Sequence, residues 1–322
     1  MKASICTKYG VPHVLQVRDV EKPTVRENEV LIKIHASSVT TAEGMMREGK
    51  PYIGRLFTGL LKPKNAITGT GLAGTIHAIG DKVNQFAIGD DVFGESIEAF
   101  ATNAEYISLD ETGLLIKRPK NMTFQELAPI CDGALTSINF LKDVAKIKQG
   151  QKVLINGAAG SLGTAAIQLA KHYGAEVTGV CSASSIPLVK SLGADKVIDY
   201  NIKDFTKTEN LYDIIYDTIG KSSFPQCKSS LTRNGIYMSP VLSVSLLFRM
   251  FFSFSSKKAK FSATGIRPIN DLKALLHELV EILETGHMKM VIDRTYPLHQ
   301  ITEAHSYVAQ GHKKGNVVIV SL

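Results

Sequence analysis

A chain of 322 residues is longer than one hydrophobic core usually supports, so two domains are expected, and its 44% hydrophobic content is that of an ordinary globular protein. The formal charge of +7 does not read as nucleic-acid binding, because 37 basic residues are interleaved with 30 acidic ones and Lys257-Lys258 and Lys313-Lys314 are isolated pairs. Cys6, Cys131, Cys181 and Cys227 lie far apart with no C-x-x-C, which argues against a disulfide framework and fits reduced thiols in a cytoplasmic setting. His299, His305 and His312 miss the i, i+4 spacing of helical metal ligands, so no metal is expected.

The amino terminus has no basic stretch followed by an apolar core, and residues 3–6 already read as a strand, so no secretory signal is expected. Short strand-like pieces at 30–34, 74–79, 91–94 and 104–109 are separated by Gly, Pro, Asn and Asp, which predicts a compact β-rich domain ending near Asn121. Within it Tyr52, in Gly49-Lys50-Pro51-Tyr52, is either a group that polarises a carbonyl or donates a proton, or a loop aromatic.

Residues 153–170 carry the most chemical information. A buried strand passes through Gly157-Ala158-Ala159-Gly160-Ser161-Leu162-Gly163 into an amphipathic helix, the order of a dinucleotide-binding turn. In register with G-x-G-x-x-G, Ala158 stands at the first place, Gly160 and Gly163 at the second and third, and Gly157 moves the flexible point back by one. All seven residues are candidate cofactor contacts, since glycines admit a pyrophosphate and the helix N-terminus attracts it.

A strand at 176–181, a helix at 186–192 closed by Gly193 and a strand at 196–200 complete a βαβαβ unit. Further strands at 212–220 and 235–240 place Thr218 and Ser239 in loops beyond their carboxyl ends, where ligands of such sheets sit. The tip of the second strand, Cys181-Ser182-Ala183-Ser184-Ser185, has no acid to receive the ribose hydroxyls of NADH. Its hydroxyls favour NADPH, or else make a polar turn only; Lys171 and Lys190 are the nearest cations in sequence.

The apolar run 241–254 contains Arg249 and is too short for the roughly 20 residues of a transmembrane helix. It is either a segment packed against the protein or a partner subunit, or a lid for an apolar substrate or a membrane contact. An amphipathic helix is predicted at 271–285, with Leu272, Leu275, Leu276, Leu279, Ile282 and Leu283 on one face and Gly286 as its stop. A strand at 291–293, a helix at 301–309 and a strand at 316–320, opened by the candidate cofactor contact Asn316, return to the first domain.

This order, with the phrases LGADKVIDY and VIDRTYPLHQITEAHSYVAQGHKKGNVVI, resembles the medium-chain dehydrogenase/reductase superfamily in its zinc-free quinone oxidoreductase branch. The resemblance implies an α/β chain: a GroES-like catalytic domain over 1–122, completed by 290–322, and a doubly wound, six-stranded Rossmann domain over 123–289. It also implies NADPH as cofactor and a homodimer paired through a strand near 260–265. Where zinc-dependent relatives carry Cys and His-Glu ligands, this chain has Ser38-Val39-Thr40-Thr41 and Gly69-Thr70-Gly71, and it has no four-cysteine lobe.

Where relatives read V-N-P-x-D, it has Val39-Thr40-Thr41-Ala42-Glu43, which leaves Thr40 as a contact to nicotinamide or substrate and Glu43 as the loop's anchor. Thr136 matches a family position beside the nicotinamide, and Ser185 and Tyr200 match positions near the adenosine 2′-phosphate. Without a Lewis acid, hydride delivery from NADPH to a small apolar quinone or α,β-unsaturated carbonyl is the expected activity. The alternatives are a metal-free alcohol or aldehyde oxidoreductase and a non-catalytic NADPH-binding or partner-binding protein.

Overall fold

The computed structural model describes residues 1–97, 100–241, 256–262 and 264–321, so the apolar run read at 241–254 lies outside the described residues apart from Val241. The chain divides into two compact units, Met1–Asp132 with Ile269–Ala274 and Met290–Leu322, and Gly133–Pro268 with Leu275–Lys289.

In the first unit, strands numbered along the chain are β1 (Lys2–Ile5), β2 (Gln16–Asp19), β3 (Glu29–Val39), β4 (Gly71–Ile79), β5 (Asp91–Glu95), β6 (Tyr106–Asp110) and β7 (Leu114–Lys117), joined later by β14 (Ile292–Pro297) and β15 (Asn316–Val320). Among the described residues the larger sheet runs β14-β15-β3-β4-β5-β7, with β6 also paired to β3. Val30, Ile32 and Ile34 of β3 bury against Leu72, Ile76, Val92, Ile107 and Leu115. β3 continues five residues past the predicted strand, because Ala36, Ser37, Ser38 and Val39 pair antiparallel with β15. That pairing overrides the turn preference of the two serines and carries the chain to Thr40. There Thr40 caps the helix Thr41–Glu48, its hydroxyl oxygen accepting from the Glu43 N–H. The helix Ile301–Ala309 covers a second core through Ile301, Ala304 and Val308, packed with Val39, Val317 and Ile319.

The second unit holds β8 (Lys152–Asn156), β9 (Glu176–Cys181), β10 (Lys196–Asp199), β11 (Tyr212–Asp217), β12 (Leu231–Met238) and β13 (Lys258–Lys260). They form a parallel sheet in the order β10-β9-β8-β11-β12-β13. This is the doubly wound arrangement expected, with the strand order reversing at β8. Val153, Leu154, Ile155, Ile214, Ile215 and Tyr216 are all buried, as strands covered on both faces require. The sixth strand spans 258–260 rather than 260–265, and Thr264–Ile266 is a 3₁₀ turn.

Candidate active site

The turn between β8 and the helix Ser161–His172 uses its glycines in two ways. Gly157 has φ +80°, and a Cβ there would meet Thr218 Oγ1 and Ile219 Cγ2 at 2.6 Å. At Gly163 a Cβ would collide with the Gly157 carbonyl oxygen and stand 2.7 Å from Ala158, so this glycine lets the helix close onto the turn. These two serve the protein itself. Gly160 differs: its backbone is extended (φ −78°, ψ −178°), and a Cβ would meet nothing closer than Gly157 O at 3.6 Å. Nothing in the fold needs a glycine at 160, whereas a pyrophosphate approaching the helix N-terminus does.

The first-turn N–H groups of Ser161, Leu162 and Gly163 precede the first bond within the helix, Thr164 N–H to Gly160 O at 2.9 Å. Ala158, buried, and the half-buried Ala159 form the floor of the turn, and the N–H groups of Gly157 and Ala158 both donate to Val180 O, at 3.2 and 3.0 Å. An anion fits this cradle.

Thr136 opens the short α-helical turn Thr136–Ile138 between two π-helical segments, Cys131–Leu135 and Asn139–Val144. The Ser137 hydroxyl donates to Leu162 O at 2.9 Å, and a Cβ on Gly133 would lie 2.9 Å from Ser161 O. Thr136 therefore stands within one residue of a direct contact with the helix N-terminus. At the other end of the turn, Ser182 Oγ lies 3.3 Å from Ser184 Oγ and 3.4 Å from Ser185 Oγ. Tyr200, half exposed, is held beside them by its N–H bond to Cys181 O at 3.2 Å. Lys171 is paired with Asp195 at 2.9 Å.

Two candidates turn out to have structural partners. Thr218 Oγ1 donates to Asn156 O at 2.7 Å and ties the ends of β8 and β11 together. Beside it Asp217, fully buried, accepts from Asn156 Nδ2, the Gly220 and Ser222 N–H groups, the Ser222 hydroxyl and the Tyr237 hydroxyl, at 2.7–3.1 Å. Ser239, also buried, accepts from the Val241 N–H at 3.2 Å. With the Ile219 N–H also donating to Asp217 at 3.4 Å, the loop beyond β11 is shaped by a carboxylate with six donors.

In the β-rich unit the register Val317 opposite Val39 sets Asn316 beside Thr40, and the Asn316 amide donates to Val291 O at 3.0 Å. Tyr52 is 70% exposed, with the Arg55 guanidinium 4.9 Å from its ring centre. Glu43, 4% exposed, accepts from the Thr70 N–H and hydroxyl at 3.1 and 3.2 Å, which fastens the Thr41–Glu48 helix to the start of β4. Its other oxygen lies 4.0 Å from Nε2 of the buried His305. Burial, with the Asp132 charge nearby, pushes the Glu43 carboxyl up to about 8; burial brings His305 down to about 3.

Glu95 is raised to about 7 by burial and Asp132, and Asp132 is itself raised by burial against the attraction of Lys313. Sequence reasoning missed this group, since its members lie at 43, 95, 132 and 313 and only packing brings them within electrostatic range. Asp132 lies four residues before Thr136, and Lys313 lies in the run GHKKGNVV. Among the described residues no three His, Cys, Asp or Glu side chains are grouped to hold a metal ion.

Residues 26–120 match the family model of the alcohol dehydrogenase GroES-like domain, and residues 192–319 match that of the zinc-binding dehydrogenases. The 2-methylene-furan-3-one reductase of Solanum lycopersicum is 30% identical over 99% of this chain and 79% of its own length. The chain belongs to the medium-chain dehydrogenase/reductase superfamily. Within it the quinone oxidoreductase-like branch is the one it joins, a group of oxidoreductases. The NADPH-dependent alkenal/one oxidoreductase of Arabidopsis thaliana is 28% identical, covering 99% of this chain and 79% of that enzyme. The solved quinone oxidoreductase of Coxiella burnetii superposes with a TM-score of 0.89 at 26% identity, with 99% of both chains covered.

Proposed function

We propose that the chain reduces a quinone or an α,β-unsaturated carbonyl by hydride transfer from NADPH, without zinc. The observation that carries this reading is Gly160, a turn glycine whose missing side chain faces open space at a helix N-terminus, as pyrophosphate binding demands. The residues that would hold the cofactor are the 157–163 turn for the pyrophosphate and Ser182, Ser185 and Tyr200 for the adenosine 2′-phosphate, with Thr218 and Ser239 framing the loops. When bound, the dihydronicotinamide supplies the hydride. Thr136 orients the carboxamide end from beside the helix N-terminus. Thr40 accepts from the Glu43 N–H and so has a hydroxyl proton to direct at an acceptor oxygen. Asn316 steadies that corner of the sheet.

The hydroxyl-bearing Ser38-Val39-Thr40-Thr41 and Gly69-Thr70-Gly71 offer neither thiolate nor imidazole where zinc would be held, which supports an acceptor already activated for hydride attack. The names of two relatives, a furanone reductase and an alkenal/one oxidoreductase, point to the same electrophiles. The four cysteines are buried and form no disulfide, in keeping with a cytoplasmic setting, and among the described residues β13 closes the sheet order with an outer edge suited to a homodimer. Turnover is tested by following NADPH absorbance with ortho- and para-quinones, enones and aldehydes, with NADH in parallel and with a chelator. Chelator-resistant consumption of NADPH with quinones or enones is expected. Activity that chelation removes and zinc restores, or binding without turnover on any acceptor, would overturn the reading.

A further inference from the structure

We propose that a cationic, apolar ledge over residues 50–64 docks the protein onto an anionic lipid surface. The ledge is built from the 3₁₀ turn Tyr52–Gly54, the short helix Arg55–Thr58 and the loop after it. Tyr52, Leu56, Leu60 and Leu61 are 70%, 71%, 67% and 88% exposed. Isolated exposed leucines are common, but a tyrosine and three leucines within ten residues form a patch of the kind that marks an interaction surface.

The backbone beneath them is not loose. The Tyr9 hydroxyl bonds Thr58 Oγ1 at 3.1 Å and Gly59 O at 2.5 Å, the Lys64 N–H donates to Thr58 O at 2.7 Å, and Arg55 Nε donates to Gly49 O at 3.0 Å. The Arg55 guanidinium also lies 4.4 Å from the Tyr9 ring centre. The leucines are held outward by a braced scaffold, so they reach a partner without a large ordering cost.

Charge selects the occupant. Residues 50–64 contain no acid; Lys50 is paired with Glu48 at 3.2 Å and Arg55 donates to the Gly49 carbonyl, which leaves the exposed Lys62 and Lys64 as the cations that face outward beside the leucines. Apolar tips with lysines at their flank match a lipid interface, where acyl chains take the leucines and anionic headgroups take the ammonium groups. A second copy meeting this surface face to face would set like charges against each other, which disfavours self-association. Among the described residues no helix is long and apolar enough to cross a membrane, so the contact is peripheral.

The chain contains no tryptophan, so Leu61→Trp installs a single indole at the most exposed point of the ledge. With vesicles of phosphatidylcholine plus about one-third phosphatidylglycerol, the indole emission should shift to the blue, and pelleting should exceed that with phosphatidylcholine alone by about tenfold and fall with added salt. The double variant Leu60→Ser/Leu61→Ser, altered only at exposed positions, should keep NADPH binding and pellet about tenfold less than the parent chain. Unshifted emission would overturn the proposal. So would a serine variant that pellets as well as the parent, which would mean adsorption by charge alone. A sedimentation velocity change between parent and serine variant, without vesicle binding, would reassign the ledge to a second copy.

Discussion

The glycine turn of the nucleotide unit and the Thr40–Glu43 corner of the β-rich unit are both built at the end of a strand that runs into a helix, yet they solve opposite problems. At the turn the protein withholds side chains, and Gly160 leaves open space before the helix N-terminus, where we propose that the pyrophosphate sits. At the corner it crowds side chains inward, and a glutamate with one oxygen bonded to Thr70 sits beside a histidine with no hydrogen-bonded ring nitrogen. One site is made of absence and is tolerant of titration; the other is made of buried titratable groups. Their responses to mutation and to pH should differ accordingly.

The largest expected effects separate the turn's own glycines. Gly163→Val drives a branched side chain into Gly157 O and Ala158 and should leave no folded nucleotide unit, read as loss of soluble protein or of a cooperative melt. Gly160→Val meets only open space, so the melting temperature should stay within a few degrees while NADPH affinity falls about a hundredfold, consistent with a lost pyrophosphate contact. Equal damage from both, or neither, would erase the distinction between the two kinds of glycine.

This contrast also explains what could be read in advance. The turn was legible because its information is contiguous: strand, glycines and helix lie between 152 and 172, and the strand Glu176–Cys181 and the helix Ile301–Ala309 match their predicted limits. Local periodicity and steric rules act over such spans. The Ser37-Ser38 end of β3 was not legible, because serine favours turns and the strand is extended by pairing with Leu72 and Ala73 of β4 and with β15, far away in sequence. The same holds for the titration of Glu43. The residue's place in Val39-Thr40-Thr41-Ala42-Glu43 marked it as the loop's anchor, but its raised pKa arises from burial beside Asp132, to which no short motif points. At Thr218 the position in a loop beyond a strand's carboxyl end was visible, but its bond to Asn156 O was not.

Next in size are the two threonines. Thr136→Val and Thr40→Val each remove a hydroxyl while keeping a β-branched shape, and each should lower kcat/KM for an enone by about ten- to a hundredfold. Thr136→Val is expected to weaken NADPH binding as well, whereas Thr40→Val should leave the NADPH dissociation constant unchanged. A Thr40→Val enzyme with full kcat/KM would remove Thr40 from the site and leave it as a helix cap only.

The corner should betray itself in the pH dependence of stability. Glu43 is raised from near 4.5 to about 8, so between those values the folded unit holds a proton that the unfolded chain has lost, and stability falls as pH rises. His305 is lowered from near 6.5 to about 3, so below 6.5 the unfolded chain gains a proton that the folded unit refuses, and stability falls as pH drops. Each arm has a limiting slope of about 1.4 kcal/mol per pH unit. The two slopes cancel where the windows overlap, between about pH 4.5 and 6.5, so melting followed from pH 4 to 9 should show a plateau there with a fall on either side, and Glu43→Gln should flatten the alkaline fall while still accepting from Thr70. An unchanged alkaline slope in Glu43→Gln would place the titrating group elsewhere, with Glu95 the next candidate.

The smallest effect is expected at Lys171, and its smallness is the point. Proximity in sequence makes this lysine a natural counter-ion for a 2′-phosphate, but its ammonium contacts both oxygens of Asp195 at 2.9 Å, and Asp195 also accepts from the Val177 N–H. The pair is partly exposed, so its removal should cost under about 1 kcal/mol. Lys171→Ala should therefore keep NADPH affinity within about twofold, because a cation already neutralised by a carboxylate has little field left to offer a phosphate. A tenfold loss specific to NADPH, with NADH unaffected, would mean that the lysine exchanges Asp195 for the phosphate when cofactor binds, and the serine cluster of 182–185 would then be only part of the discriminating surface.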